Sequence, residues 1–414
     1  GMGYAVGAQA YWVIVGEMIG IAASWGFISR KLKRLSDETD SITLPDVLAA
    51  KFDDRWHLIR GVAVAIIAVM VTTYVSAQMV ATGKAFSGFI GLDYRAGVII
   101  GAVIIIGYTF VGGYKAVSYT DVVQGVLMLA GLIAVPLVAI SAAGGWGQMT
   151  ATLNEYDPGF IDMFSVLDGS TAGFVAAVSF AAIGLPFLGV PQMLIRYMSA
   201  RDDTELKKAR IVSITVLFIF LFGAVTAGIA GRALFPGLED SEQVFPTLAS
   251  ELFPPLLTGV LFVIVLSAIM STVDSLLLLA SSSIVRDTMQ KILGNPSSDA
   301  TLAGYGKVVT VIIGVIAVFV AVYMAENKLI FWFVLFSWSG LGAAFGPVVL
   351  ALLYDRRTTG AGIVAGMLGG FLTSLVWVQF FKAGAYGLYE AIPGFTVAAV
   401  ATVVVSRMTG KQSR

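Results

Sequence analysis

Residues 181–198 read AAIGLPFLGVPQMLIRYM and contain four helix-breaking residues in a stretch long and apolar enough to cross a bilayer. Gly184, Pro186, Gly189 and Pro191 fall within eight residues of one another. Proline removes a helical hydrogen bond and glycine loosens the backbone, so this span is predicted to be kinked or unwound. One interpretation is a packing kink, because both residues are common in membrane helices. The other is a discontinuous helix whose freed backbone groups line a binding site.

The composition around this stretch is that of a membrane protein. The chain has 414 residues, of which 57% are hydrophobic and 13% charged, and its mean hydropathy is +0.88. Soluble domains carry about 25% charged residues. The 26 basic and 26 acidic residues balance, so nothing in the net charge suggests binding to nucleic acid, and no such partner is expected. With no cysteine and only His57, thiolate and histidine metal sites and a Ser/His/Asp triad are excluded, so no enzymatic activity is expected.

Hydrophobicity predicts an all-α polytopic membrane protein, because a transmembrane helix needs about 20 mostly apolar residues. The eleven predicted spans are 7–29, 61–83, 96–113, 119–142, 172–197, 211–231, 256–285, 304–324, 329–354, 360–381 and 388–406. The connections between them are too short for a soluble domain. Residues 1–414 are therefore predicted to form a single transmembrane domain.

Lysine and arginine are distributed unequally between the two sides of the predicted membrane. With strict alternation of the spans, 21 of the 26 basic residues lie on one side. The other side keeps five, which are Lys84, Arg95, Arg232, Lys328 and Lys382. Because cytoplasmic loops carry the excess of basic residues, the C-terminus is predicted to be cytoplasmic. The protein is expected to be a multi-pass protein of the cell (plasma or inner) membrane.

A polar cluster interrupts the seventh span, which reads LSAIMSTVDSLLLLASSS at 266–283. Four small or hydroxyl residues share one helical face at i, i+3, i+4 and i+7, namely Ala268, Ser271, Thr272 and Ser275. Asp274 lies one step around the helix from Ser271. A carboxylate with hydroxyls at membrane depth indicates an ion pathway, and oxygen ligands suit a hard cation. Alternatively, the hydroxyls bond back to preceding carbonyls or hold helices together.

Three further polar residues each have two interpretations. Glu17, inside the first span, is either a proton or ion site or a carboxylate tolerated at the bundle edge or in a water-filled vestibule. Asp121, at the start of the fourth span, is either a helix N-terminal cap or an ion ligand. Tyr74, in the second span, is either a packing aromatic or a ligand contact.

Six segments, taken in order, resemble the sodium/solute symporters, and within them the sodium/proline symporter branch. They are SITLPDVLAAKF (41–52), TFVGGYKAVSYTDVVQ (109–124), GVPQMLIRYM (189–198), SAIMSTVDSLLLLASSSIVRD (267–287), GLGAAFGPVVLALL (340–353) and LYEAIPGF (388–395). The resemblance covers nearly the whole chain. It implies a LeuT-type fold, a bundle of two inverted five-helix repeats with peripheral helices.

The resemblance also implies how the chain is divided. The remainder of the first repeat would be residues 1–142, the second repeat 172–355 and the peripheral C-terminal helices 356–414. The first broken helix and one preceding helix would lie upstream of Gly1, so the sequence is expected to be N-terminally incomplete.

For cations, the resemblance implies two sites. Half of a sodium site is matched by Ala268, Ser271 and Thr272. A second cation site would comprise Asp121, Ser271, Asp274 and Ser275. Asp274 stands where members with this site carry a small hydroxyl residue, so the charge or the number of bound ions is expected to differ.

For the solute, the binding positions of the proline branch match Tyr74, Ile183, Phe187 and Pro191. Tyr74 keeps the pattern of that branch. Ile183 replaces a tryptophan and Phe187 replaces a tyrosine, so the pocket has lost bulk and a hydroxyl. A solute other than proline is therefore expected.

The sequence as a whole predicts sodium-coupled secondary active symport of a small organic solute by alternating access. The solute would be an amino acid such as proline, or a carboxylate. The expected partners are this solute, sodium ions and the lipid bilayer, with sodium as the only metal and no cofactor. Two alternatives stay open. A transporter-like sensor would have a signalling module beyond the last span, and a passive channel would conduct independently of the sodium gradient.

Overall fold

The computed structural model describes residues 1–410 except 53, 55 and 324–329, and it describes only the backbone of residues 113–116 and 299. Within this part the chain is helical and has no β-strand. Eleven of its helices are long and apolar enough to cross a membrane. In chain order the helices are α1 (Met2–Glu38), α2 (Leu44–Ala50), α3 (Leu58–Ile90), α4 (Tyr94–Gly112), α5 (Val117–Ala142), α6 (Trp146–Tyr156), α7 (Thr171–Leu188), α8 (Pro191–Met198), α9 (Asp203–Leu234), α10 (Val244–Leu252), α11 (Pro255–Ile292), α12 (Ala300–Tyr323), α13 (Ile330–Tyr354), α14 (Gly360–Phe381) and α15 (Ala391–Thr409).

Side-chain caps fix where several helices begin. Hydroxyl or carboxylate oxygens accept backbone N–H groups of the first turn, which otherwise lack a partner. The capping residues are Thr43, Asp93, Ser170, Asp202 and Thr359. At the start of α9, the backbone N–H groups of Glu205 and Thr204 donate to Asp202 and hold the pKa of its carboxyl below the usual range.

The eleven predicted spans are confirmed, and several helices extend beyond the predicted bounds. Two of the differences affect the architecture. Helix α1 is longer than predicted, because it continues through a π-helical turn at Ser24–Ile28 into a charged segment that ends at Glu38. Helices α4 and α5 form one uninterrupted helical run, Tyr94–Ala142, which nevertheless doubles back. The hydroxyls of Tyr108 and Thr120 hydrogen-bond to each other. Twelve residues of straight helix would separate them by about 18 Å along the axis.

The ion pairs of the described residues join groups that were predicted to lie on the same side of the membrane. On the predicted external side, Lys84 contacts Glu242 at 2.6 Å and Lys382 contacts Glu390 at 2.8 Å. This pattern agrees with the predicted alternation of the spans. Some of the basic residues whose side of the membrane was predicted lie outside the described residues, namely Arg55, Lys328, Lys411 and Arg414. The side chain of Lys115 is also outside them.

A buried ion-pair network attaches α2 to the predicted cytoplasmic ends of α3 and α11. The Arg60 guanidinium lies 2.7 Å from Asp46 and 2.5 Å from Asp287. The Thr43 hydroxyl, which caps α2, donates to Asp287 at 2.7 Å. Asp287 is fully buried, so Arg60 and Thr43 supply the partners that its carboxylate needs in this environment.

Helix α3 lies at the centre of the bundle and packs against α4–α5, α11, α12 and α13. The largest apolar cluster lies around it and includes Met70, Val75, Phe187 and Leu277. Helices α14 and α15 pack against each other and against α13 at the edge. Large apolar side chains on α4 and α5, such as Val103, Val122 and Leu137, are exposed, as expected of a surface that faces lipid.

Candidate functional site

The fifth span is discontinuous, which confirms its predicted interruption. An α-helical part ends at Ala181 and a 3₁₀-helical part covers Ala182–Leu188. Val190 is extended, and α8 begins at Pro191. Proline lacks an N–H group and disfavours helical geometry in the residue before it, which explains why the helix cannot continue through this segment. The second half of the span therefore starts a new helix in the middle of the bundle.

Close backbone contacts hold the interruption in place. A Cβ atom at Gly20 of α1 would lie 2.0 Å from the carbonyl oxygen of Gly184. On the opposite side, a Cβ at Gly342 of α13 would lie 2.3 Å from the Cα of Pro186. Only glycine permits such an approach. The unwound segment is thus clamped between α1 and α13.

The three residues predicted to form half of a sodium site lie together on α11. The hydroxyls of Ser271 and Thr272 donate to the Ala268 carbonyl at 3.2 and 3.0 Å. These are the bonds to a preceding carbonyl that the alternative interpretation of the hydroxyls predicts. A hydroxyl that donates one hydrogen bond keeps its lone pairs, so both oxygens can still accept a cation.

The structure adds an arginine to the predicted second cation site. Arg196, on α8, donates from one guanidinium nitrogen to the Asp121 carboxylate at 2.8 Å and to the Ser275 hydroxyl at 2.9 Å. Asp121 lies inside the helical run of α5 and is not its N-terminal cap. The sequence analysis counted Arg196 only among the basic residues of the predicted cytoplasmic side, although its place in GVPQMLIRYM puts it on the helix that follows the interruption.

Asp274 lies beside this group and is fully buried. The amide and hydroxyl of Ser275 are nearby, but neither oxygen of the Asp274 carboxylate receives a hydrogen bond of acceptable geometry. One oxygen of Asp121 also lacks a partner. Arg196 pairs with Asp121 and lies within electrostatic range of Asp274, so the group carries a formal charge of −1 when both carboxylates are ionised.

Of the four predicted solute residues, the structure brings Tyr74 and Phe187 together around an aromatic residue that the sequence analysis missed. The Phe187 ring stands edge-on to Trp338 of α13, with centroids 4.8 Å apart. The Tyr74 hydroxyl lies beside the Trp338 indole nitrogen. Pro191 is buried at the first turn of α8.

Ile183, in contrast, belongs to a separate apolar cluster with Val13, Leu335 and Tyr389. In that cluster Tyr389 is buried and donates its hydroxyl to the Leu335 carbonyl at 3.2 Å.

Two cavities approach α11 from opposite sides of the membrane. A cavity of about 240 Å³ on the predicted external side is lined by Ala268 together with Lys84 and Glu242. A cavity of about 530 Å³ on the predicted cytoplasmic side is lined by Ser275 and Arg196. Ala268 and Ser275 are two helical turns apart, about 10 Å. Ser271 and Thr272 lie between them, so this segment of α11 separates the cavities.

Comparison with known proteins relates the chain to one family of symporters. The profile of the sodium:solute symporter family matches residues 1–370. The high-affinity proline transporter PutP of Bacillus subtilis is 35% identical over 99% of this chain and 86% of its own length. A sodium/proline symporter of Staphylococcus aureus is 35% identical over 99% of this chain and 81% of its own.

Two solved structures share the fold. A Na+-coupled sialic acid symporter in a substrate-bound outward-open state has a TM-score of 0.79 and 18% identity, over 98% of this chain and 86% of its own. MhsT in complex with L-phenylalanine has a TM-score of 0.55 and 15% identity, over 98% and 97% of the two chains. These similarities confirm the LeuT-type helical bundle.

Proposed function

The chain belongs to the sodium:solute symporter family, and we propose that it couples sodium entry to the uptake of a small organic solute, either an amino acid or a carboxylate. The observation that carries this proposal is the position of Ser271 and Thr272 between two cavities that open towards opposite sides. A site there can exchange with one compartment at a time if the bundle opens alternately. The relatives are transporters, which supports a role without catalysis.

We propose that sodium binds at Ala268, Ser271 and Thr272. A carbonyl and two hydroxyls on one helical face supply uncharged oxygen ligands, which suit a hard monovalent cation. One turn along α11 from this site, Ser275 accepts a hydrogen bond from Arg196 of α8, the helix that follows the interruption. Binding there would favour one arrangement of α11 and the interrupted helix, and so couple the ion to the solute.

A second cation would bind among Asp121, Ser271, Asp274 and Ser275. Its main support is the formal negative charge beside Arg196, because an unpaired carboxylate in a low dielectric needs a cation or a proton. Arg196 already bonds Asp121 and Ser275, so the added ion would be held chiefly by Asp274.

The solute would bind along the interruption, at Tyr74, Ile183, Phe187 and Pro191, with Trp338 as an additional aromatic wall. The names of the Bacillus and Staphylococcus relatives support an amino acid. Phe187 lacks the hydroxyl expected in the proline branch, which favours a solute other than proline.

In the proposed arrangement, residues 1–142 form the remainder of the first repeat, residues 172–355 the second repeat and residues 356–414 the peripheral C-terminal helices. The protein would lie in the plasma or inner membrane with its C-terminus in the cytoplasm, because the predicted cytoplasmic side holds most basic residues.

Uptake into proteoliposomes tests the proposal. With an inward sodium gradient, at least one of a panel of proline, alanine, lactate and acetate should accumulate above its external concentration. Replacing sodium with choline should abolish accumulation. Solute equilibration across the membrane that does not depend on sodium would instead indicate a passive channel. Uptake of none of these solutes would contradict the proposed solute class.

A further inference from the structure

Glu17 is a carboxylate in α1 that neither the proposed sodium sites nor the ion-pair networks use. It lies in a regular α-helical stretch, Tyr11–Ala23, and is partly buried. Among the described residues, no basic side chain lies close enough to interact with it electrostatically. Glu390, by comparison, is a buried acid on the same predicted side that has Lys382 at 2.8 Å.

Helical geometry directs Glu17 towards the interrupted span. Val13, Glu17, Gly20 and Ser24 follow i, i+4, i+7 and i+11 spacing and share one face of α1. The other three residues of this face have known contacts. Val13 packs with Ile183, Gly20 touches the Gly184 carbonyl, and the Ser24 hydroxyl bonds that of Tyr197 at 3.0 Å. Glu17 therefore faces the interrupted span, between its unwound part and the groups that pack on it.

Two apolar clusters meet at this position. Val13, one turn before Glu17, belongs to the cluster that contains Ile183, whereas Ile21, one turn after it, belongs to the cluster that contains Tyr74 and Phe187. Glu17 lies within electrostatic range of the Tyr74 hydroxyl. The carboxylate is thus placed where the two parts of the proposed solute site adjoin.

We propose that Glu17 binds the positively charged nitrogen of the solute, so that the solute is an amino compound and not a simple carboxylate. The inference rests on the proposed function and narrows its solute class. A carboxylate among apolar side chains is stabilised by a cation brought by a ligand when the protein supplies none. The proposed sodium ligands all lie on α5 and α11, so a solute cation at Glu17 of α1 and sodium would use separate groups.

Paired solutes in the proteoliposome assay test the inference. Alanine and lactate differ by an ammonium and a hydroxyl, and proline and N-acetylproline differ by the charge on nitrogen. The wild-type protein should prefer the ammonium member by at least about tenfold, the usual size of a charged hydrogen bond. In Glu17→Gln this preference should fall to within about threefold, while the sodium concentration for half-maximal uptake stays the same.

Two variants separate recognition from folding. Glu17→Asp keeps the charge and should keep the preference, with weaker apparent affinity. Glu38→Gln removes a carboxylate from the exposed end of the same helix and should behave as wild type.

The results that would overturn the inference differ from those that would overturn the symporter. Sodium-driven uptake of lactate as good as that of alanine would keep the symporter and refute the role of Glu17. So would a Glu17→Gln variant that changes only the sodium or pH dependence. If no solute is transported, binding of alanine and proline to the detergent-solubilised protein decides. Loss of this binding in Glu17→Gln supports the inference, and absent or unchanged binding contradicts it.

Discussion

Replacing Asp274 with serine is expected to stabilise the protein in the absence of sodium and to reduce the stabilisation that sodium provides. Asp274 is fully buried, and neither carboxylate oxygen receives a good hydrogen bond. An unsatisfied buried polar group costs about 1–3 kcal/mol, and a charged one costs more. In sodium-free buffer Asp274→Ser should therefore raise the free energy of unfolding by at least about 1 kcal/mol. The new hydroxyl can bond to a carbonyl of its own helix.

Sodium should have the opposite effect on the difference between the two proteins. An ion that binds only the folded state at 100 times its dissociation constant stabilises it by about 2.7 kcal/mol. The wild type should gain this amount at the Asp274 site in addition to the gain at Ser271 and Thr272. The Asp274→Ser variant should be stabilised by sodium only at the site formed by Ser271 and Thr272. In saturating sodium the advantage of the variant should thus disappear or reverse, and the Hill coefficient of sodium activation should fall.

Thermal unfolding of the purified protein measures both effects, with sodium chloride compared against choline chloride at equal ionic strength. Glu251→Ser, which removes an exposed carboxylate, serves as the matched control. If Asp274 holds a proton instead of sodium, the variant should flatten the pH profile of uptake and leave sodium activation intact. Wild-type behaviour in sodium, in choline and across pH would refute the reasoning and make Asp274 a structural residue.

Three further outcomes are expected. Cysteine introduced at Glu205 should react with an impermeant reagent only from the cytoplasm, and cysteine at Glu155 only from outside; labelling of both from one side would contradict the topology. Arg60→Met should lower the free energy of unfolding by about 3–5 kcal/mol, because it leaves the buried Asp287 without its counter-ion and Asp46 with Arg286 at 3.8 Å, and an unchanged melting temperature would argue against the network. Phe187→Tyr should strengthen proline binding by about 0.5–1.5 kcal/mol through one restored hydrogen bond, and calorimetry that finds no gain would place the solute elsewhere.

Much of the fold could be predicted because the bilayer imposes a simple rule. A membrane helix must satisfy its own backbone, so its length and apolarity are visible in a local window, and the interruption at Pro186 and Pro191 is visible for the same reason. The reversal between α4 and α5 was predicted by the separate spans 96–113 and 119–142. That the backbone stays helical across this reversal was not predicted, because hydropathy marks where the apolar stretches end and not whether helical geometry continues between them.

The candidate site was only partly predictable, because its pairings join distant parts of the chain. The face formed by Ala268, Ser271 and Thr272 follows from helical spacing within one span. The bond from Arg196 to Asp121 spans 75 positions, and no local pattern indicates it. Trp338 was overlooked for the same reason. An aromatic residue in an apolar span stands out only when Phe187 is placed against it.

Coupled sodium flux tests the central claim most directly. Influx of radioactive sodium into proteoliposomes should rise when the transported solute is added outside, and solute influx should rise with external sodium. A Ser271→Ala, Thr272→Ala double variant should lose this mutual stimulation while it remains folded by thermal unfolding. Solute entry that brings no sodium with it, or full coupling in the double variant, would contradict the account.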